Sequence, residues 1–371
     1  MKNHFECYRR TNERTLRMTE HNSGVRQAEL QPLLDLTQRV GKDPLLTQAS
    51  TGNSSAKLNG VLWIKASGKW MADAMCDDIF IPLDLAAVVK ECLQQHVDPS
   101  EVYPGASLET ALHATLPHRM VFHVHCVNTI AWAVRSDARI QLQRLLEGLS
   151  WQWVPYIGSG LPLSREIERA ISAHPDTDLF VLGNHGLVVC GKDAGTIETL
   201  LTDVRRRLAI SPRNAGPADH EGLWEISRDS AWRLPEDDGV HALGTDAVSQ
   251  AILAGGVLYP CQAIFSDSRT AELFRAIPYP DPRAHLQAQW QRRYCNRPFL
   301  IFKGRGVIVS RNISRAEFAM LTGLAQVVQR LGPTAPVRYL TKAEISGISG
   351  HVADRYRERA SACPSRITNS P

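Results

Sequence analysis

Leu179-Phe-Val-Leu-Gly183-Asn-His-Gly186-Leu-Val-Val-Cys190 consists of two short β-rich runs joined by residues that favour a tight turn. Behind it, Ile197, Leu200, Leu201, Val204 and Leu208 recur at helical spacing, so the unit reads strand–turn–strand–helix. Glycines on both sides of the turn free the backbone and leave the His185 imidazole able to face a site. Upstream, Met120–Val127 is predicted as a third strand and contains His123-Val-His125. Alternate side chains of a strand share a face. His123 and His125 are therefore expected to project together with Val121 and Val127, their Cβ atoms roughly 6.5–7 Å apart. Phe122, Val124 and Cys126 are expected to face packing on the other side.

Outward from this unit, residues 1–25 are polar and irregular, and a mobile extension is expected there. A helix is predicted from Ala28 through Leu30, Leu33, Leu34 and Val40, with Gly41 placed to stop it. A small-residue turn at 48–55, a strand at Gly60–Ala66, helices at Leu83–Gln95 and Ser107–Leu116, and further helices at Ser136–Leu149 and Ser164–Ala173 follow. The polar stretch Ser211–Leu223, with Pro212, Gly216 and Pro217, reads as a linker. The expected division is an extension at 1–25, a metal-binding domain at 26–212, a linker at 213–224 and a C-terminal α/β domain at 225–371. Within the last, Gly304-Arg-Gly-Val-Ile-Val-Ser310 followed by a helix parallels Asn184-His-Gly-Leu-Val-Val-Cys190, with Arg305 in place of His185. A degenerate repeat would leave this trace, and so would two generic strand–helix pairs.

Composition narrows the function classes. In 371 residues, 43% hydrophobic and 22% charged is the balance of a folded globular protein, which excludes disorder as the whole account. The net charge of +4 is too small and too scattered for a nucleic-acid protein. Apolar runs such as Leu179–Leu182 fall far short of the roughly 20 residues that span a bilayer. Met1–Glu20 mixes Arg9, Arg10, Arg14 and Arg17 with Glu6, Glu13 and Glu20 and has no apolar export core. The eight cysteines are dispersed, with no C-x-x-C, and read as reduced thiols of a cytoplasmic protein.

Three histidines from two strand regions match a catalytic zinc site with three protein ligands and one open position, although a bare H-x-H alone is more often a pair of structural histidines. Glu109 falls near a helix start just before the histidine strand. A carboxylate there could complete the coordination of an empty metal or move protons; an ordinary first-turn glutamate would occupy the same place. Gly52-Asn53-Ser54 and Ser67-Gly68 are turns whose N–H and hydroxyl groups could hold a phosphate or carboxylate, with charge added by Lys65. Gly186–Asp193 comes close to a phosphate loop, but Asp193 replaces the required Ser or Thr and the middle is an apolar strand.

With these residues in place, the segment from about Glu29 to Leu208 resembles the class II aldolase/adducin family, which contains the L-fuculose-1-phosphate and L-rhamnulose-1-phosphate aldolases. The resemblance rests on Gly52-Asn53-Ser54-Ser55, Ala66-Ser67-Gly68, Ser107-Leu108-Glu109, His123-Val-His125, Pro155-Tyr156 with Gly158, and Asn184-His185-Gly186-Leu187. Asp43–Leu46, Trp63–Gly68 and Glu109–Ala114 are similar to the longer branch with a C-terminal extension. The resemblance implies an α/β fold, a three-layer α/β/α sandwich around a mostly antiparallel central sheet. It implies one Zn2+, or another divalent ion, on His123, His125 and His185, with Glu109 ligating the empty metal and acting as acid/base. Asn53, Ser67, Gly68 and Ser107 would hold the substrate phosphate. The implied activity is retro-aldol cleavage of a sugar phosphate or related sugar acid through a metal-stabilised enediolate, in a homo-oligomer, usually a tetramer. Leu108 stands where these aldolases often have a second phosphate-binding serine, and no tyrosine occurs from Ala131 to Pro155, where their proton donor would fall. Decarboxylation or epimerisation of a sugar acid is the alternative reading, and a non-catalytic adducin-like scaffold is the second.

Overall fold

The computed structural model describes residues 23–266, 276–278, 294 and 297–348. Most of the 1–25 extension, and Cys7, Cys295 and Cys363, lie outside those residues. The described residues begin with helix α1 (Ser23–Lys42) and reach the strands β1 (Asn53–Leu58), β2 (Val61–Lys65) and β3 (Phe80–Asp84). Helix α2 (Thr110–Thr115), β4 (Met120–Val124), α3 (Val127–Ala133), α4 (Ala138–Leu145) and β5 (Trp151–Val154) follow. Helix α5 (Leu161–Ala173), β6 (Leu179–Leu182), β7 (Gly186–Gly191) and α6 (Ala194–Arg207) complete the first unit. Its sheet runs β3-β2-β1-β4-β7-β6-β5, antiparallel at every pairing except β5 with β6.

Period-two alternation builds the layers. Phe122, Val124, Leu179, Val181, Leu187 and Val189 pack with α1, α4 and α6 on one face. Val121, Phe180, Leu182, Val188 and Cys190 pack with α2 and α5 on the other. The three-layer sandwich is thus present, and each buried leucine, valine or isoleucine of these faces contributes about 1.5–3 kcal/mol of burial. Helix α6 starts where it does because the Asp193 side chain accepts from Thr196 N, and Arg205, Arg206 and Arg207 complement the dipole at its end. Asp193, the residue that spoiled the phosphate-loop pattern, is therefore a helix cap.

Several boundaries differ from the sequence expectation. Leu83 and Asp84 end β3, and only from Leu85 does the chain turn helical, with Asp84 as cap. Strand β4 ends at Val124 instead of running to Val127: Val127 N–H bonds to Leu45 O, so His125 lies in the turn and Val127 begins α3. Helix α1 runs through Gly41 to Lys42. Gly41 is small for packing, not for stopping the helix, because a Cβ there would lie 2.2 Å from Ala72 N and 2.3 Å from Met71 C.

A second, three-stranded sheet, β8-β10-β9, is built from β8 (Trp232–Arg233), β9 (Phe299–Phe302) and β10 (Gly306–Ser310). One face carries Trp232, Leu300, Phe302 and Ile308. On the other, Phe299, Ile301, Val307 and Val309 pack with two helices, α7 (Pro260–Ser266) and α8 (Arg315–Val328). The hairpin β9–β10 followed by α8 repeats the order β6–β7–α6. The two units share an apolar core, since Val127, Ile130, Ala131 and Val134 of α3 and its end belong to the cluster under the second sheet. Among the described residues no helix is long and apolar enough to cross a membrane, and all five cysteines are free thiols.

Gly41→Ala weighs a helix-propensity gain of about 1 kcal/mol against overpacking on backbone, which costs about 1–3 kcal/mol or more. Because the obstructing atoms are main chain, the variant is expected to lose net stability in urea unfolding; a gain would mean that α1 separates freely from the 71–73 turn.

Candidate metal centre

Strand register brings the first residues together. In the β1–β4 pair Asn53 lies opposite His123, and in the β4–β7 pair His123 lies opposite Val188. Glu109 occupies the cap position of α2, between Ser107, whose Oγ accepts from Glu109 N at 3.2 Å, and the helix itself. His185 comes from the β6–β7 turn, where Asn184 takes a left-handed conformation at φ 51°, one that asparagine tolerates better than most residues. Gly186 has no room for a side chain: a Cβ would sit 2.6 Å from Val124 O and 3.3 Å from His123 Nε2.

The three imidazoles converge. Ring centroids lie 4.9 Å apart for His123 and His125, 4.8 Å for His123 and His185, and 5.1 Å for His125 and His185. One ligand nitrogen from each falls within 4.8 Å of the others, and all three rings are buried. The Glu109 carboxylate enters the same space: Oε2 bonds to His123 Nδ1, and Oε1 lies 3.8 Å from His185 Nε2. Asn53 Nδ2 donates to Glu109 Oε2 at 2.8 Å and to Ser107 Oγ at 3.3 Å.

Electrostatics follow from burial. Desolvation alone would raise the Glu109 carboxyl, but His123, His185 and the Asn53 amide outweigh it and hold it well below the usual carboxylate range. Burial lowers His185 to about 4 and takes His125 well below its ordinary value, with the neighbouring imidazoles adding to the effect. Near neutral pH these two rings are uncharged and keep a nitrogen lone pair, the form in which histidine binds a metal. His123 Nε2 is buried without a hydrogen-bond partner. Neutral imidazoles, an adjoining carboxylate and an orphaned ring nitrogen form a donor set that fits a zinc-type cation.

The sequence reading missed His113. It stands one helical turn after Glu109, a spacing that places both on one side of α2 and is the available local signal. Its Nδ1 is 2.7 Å from Ser55 Oγ and its Nε2 contacts Asn53 Oδ1, so Ser55, His113, Asn53, Glu109 and His123 form a continuous buried chain. Burial lowers His113 to about 3.

The expected anion-binding residues divide. Asn53 and Ser107 are in the centre. The Ser67-Gly68 turn bonds elsewhere, Ser67 N–H donating to Gly105 O at 2.9 Å, two residues before Ser107, and Gly68 has φ 78°. Lys65 is buried and donates to the carbonyls of Ser50 at 3.1 Å, Ala66 at 3.4 Å and Lys69 at 2.6 Å. Burial brings it down to about 7 against the opposing pull of Glu109. Its ammonium thus joins the Ser50 loop to the turn at 66–69.

A second trio, His220, Asp238 and His241, also brings ligand-type atoms within 4.8 Å. It does not fit an ion. Val307 N–H donates to His241 Nδ1 at 3.1 Å, so the neutral ring carries its proton on Nε2, the nitrogen that faces Asp238 at 3.9 Å.

Residues 32–207 match the family model described as Class II Aldolase and Adducin N-terminal domain. Among curated proteins, one named Uncharacterized oxidoreductase YuxG, of Bacillus subtilis (strain 168), is 27% identical over 177 residues, 42% of this chain and 26% of that protein. The match thus spans about a quarter of that relative's length. Among solved structures, the N-terminal class II aldolase domain of a conserved protein from Thermoplasma acidophilum is 22% identical, with 48% of this chain and 90% of that one covered at TM-score 0.42. The l-fuculose-1-phosphate aldolase from Thermus thermophilus is 18% identical over 48% and 92%, at TM-score 0.35.

Asn53→Ala removes a donor from Glu109 and an acceptor from His113. At about 1–3 kcal/mol for each of these two buried polar groups, the chelator-treated protein should lose about 2–6 kcal/mol in urea unfolding. An unchanged midpoint would mean that water replaces the amide without cost.

Proposed function

With residues 32–207 belonging to the class II aldolase and adducin N-terminal domain family, we propose that the chain is a zinc-dependent lyase. It would cleave or form a carbon–carbon bond beside a carbonyl in a sugar phosphate or related sugar acid. The observation that carries this reading is the buried Glu109 carboxylate set among three converging imidazoles. His123, His125 and His185 would hold the ion, which when bound supplies a Lewis acid for a carbonyl oxygen where negative charge develops.

The chain's own residues account for proton handling and orientation. Retro-aldol cleavage removes the proton of the hydroxyl on the carbon beyond the breaking bond. The bond's electron pair passes toward the carbonyl, an aldehyde departs, and a proton is then delivered to the carbon left behind. Glu109, a carboxylate at rest, is the group assigned to both transfers: it takes the hydroxyl proton and returns it to the carbon left behind. Asn53 and Ser107 hold its carboxylate and backbone in one orientation, and burial keeps bulk water from competing for the proton. Such a positioned acid/base contributes typically about 10²–10⁴ in rate. Asn53, Ser107 and the Ser67-Gly68 turn are proposed to hold the substrate's oxyanion, and Lys65 fixes the turn from behind. The same reading carries assembly into a homo-oligomer.

Protein prepared without a histidine tag is expected to contain about one zinc per chain by elemental mass spectrometry. His185→Ala should lose the metal and all turnover while keeping its far-UV circular dichroism. Glu109→Gln should keep the zinc but lower aldehyde release from a panel of phosphorylated ketoses by at least about 100-fold. Turnover by metal-free protein, or an active Glu109→Gln, would refute the mechanism.

A further inference from the structure

His125 is reached from the second unit directly at one point and through Gln48 at another. Its ring nitrogen Nδ1 lies 3.3 Å from Cys261 Sγ, on α7. Its backbone carbonyl accepts from Gln48 Nε2 at 3.2 Å, and Gln48 in turn packs on α8, where a Cβ at Gly323 would lie 2.4 Å from Gln48 Cγ. The His185 turn is held from the same side. Asn184 Nδ2 donates to Leu258 O at 2.7 Å and Arg338 O at 2.8 Å, while Arg338 Nη1 donates back to Asn184 Oδ1 at 2.9 Å. Two of the three imidazoles are therefore positioned by residues more than 70 positions along the chain.

We infer that the C-terminal half is a working part of the metal centre, with Cys261 as a positioning residue that orients the His125 imidazole through Nδ1 and leaves Nε2 for the ion. The inference rests on the metal reading proposed above. A ligating histidine commonly donates its second ring N–H to an outer partner that fixes the tautomer and the ring angle. Here that partner is a buried thiol, 136 positions along the chain from the ring it holds. With an ion on Nε2, Nδ1 carries the proton and donates to Sγ; without one, the thiol S–H can donate to Nδ1. The contact therefore survives both states with no movement of either backbone. Among the described residues no carboxylate or amide bonds to Nδ1 in place of the thiol, so the ring angle depends on Cys261 and on the Gln48 contact behind it.

The test uses the full chain, with zinc affinity measured by chelator competition and the visible spectrum of the cobalt-substituted protein as a second readout. Cys261→Val keeps size and removes the hydrogen bond. It is expected to bind zinc about 10–100-fold more weakly and to shift the cobalt bands, while the metal-free melting curve stays near wild type. Cys261→Ser, which restores a donor and acceptor, should recover most of the affinity. Should the valine variant fold poorly, Cys261→Ala serves in its place with the same expected loss. A folded variant that binds zinc as tightly as wild type, with an unchanged cobalt spectrum, overturns this inference and leaves the metal reading standing. Wild-type protein that takes up no zinc overturns both.

Discussion

The contact between the Glu109 carboxylate and the His123 imidazole is the constraint around which the first unit is arranged. A carboxylate removed from water and left alone would cost several kcal/mol or be protonated. Glu109 escapes both outcomes because two imidazoles and the Asn53 amide surround it. Each of those partners comes from a different element, so the contact can form only when the elements agree. Asn53 meets it through the β1–β4 register, His123 through alternation along β4, and His185 through the β6–β7 turn. A one-residue slip in either pairing would send Asn53 or His123 to the opposite face, among α1 and α6.

Signals confined to a few neighbouring residues were readable. The hairpin at 179–191 and the helix behind it follow from period and turn chemistry. His123, His125, His185 and Glu109 were identified as candidates, and the fold brings them together. What escaped the reading depends on partners distant in the chain. The end of β4 at Val124 is set by a bond from Val127 N to Leu45 O, which no local pattern announces. Gly41 looked like a helix stop because its close neighbours, Met71 and Ala72, lie 30 residues ahead. The charge of Lys65 is visible in the sequence, whereas its three carbonyl acceptors are not. His113 shares a helical face with Glu109 and was legible in principle. Cys261 has no local signature at all.

The two units are less separable than the polar stretch between them suggests. Arg213, within that stretch, donates to Val328 O at 3.0 Å and to Ser249 Oγ at 3.0 Å and pairs with Asp246, so the connection is pinned to the second unit. Helix α3 is packed on two sides: Ala133 and the preceding Cys126 belong to the core under the large sheet, whereas Val127, Ile130 and Ala131 belong to the core under the small one. Removing the second unit would return these three side chains to water. For the valine and isoleucine alone that forfeits about 1.5–3 kcal/mol each, directly beside His125.

The repeated strand–turn–strand–helix unit shows why chemistry gathers at one hairpin and not at the other. At 183–186, glycine, a left-handed asparagine and a second glycine let the chain pass beneath Val124 O and turn the imidazole toward two more. At 304–306 the corresponding residue is Arg305, which pairs with Asp219, and the following glycine abuts His241. There the nearby ring nitrogen is taken by Val307 N–H, so the geometry supports a structural hydrogen bond where the first hairpin leaves ring nitrogens free. The same backbone path is thus compatible with a ligand site or a packed turn. What separates them is whether the surrounding N–H groups consume the histidine lone pairs or leave them for an ion.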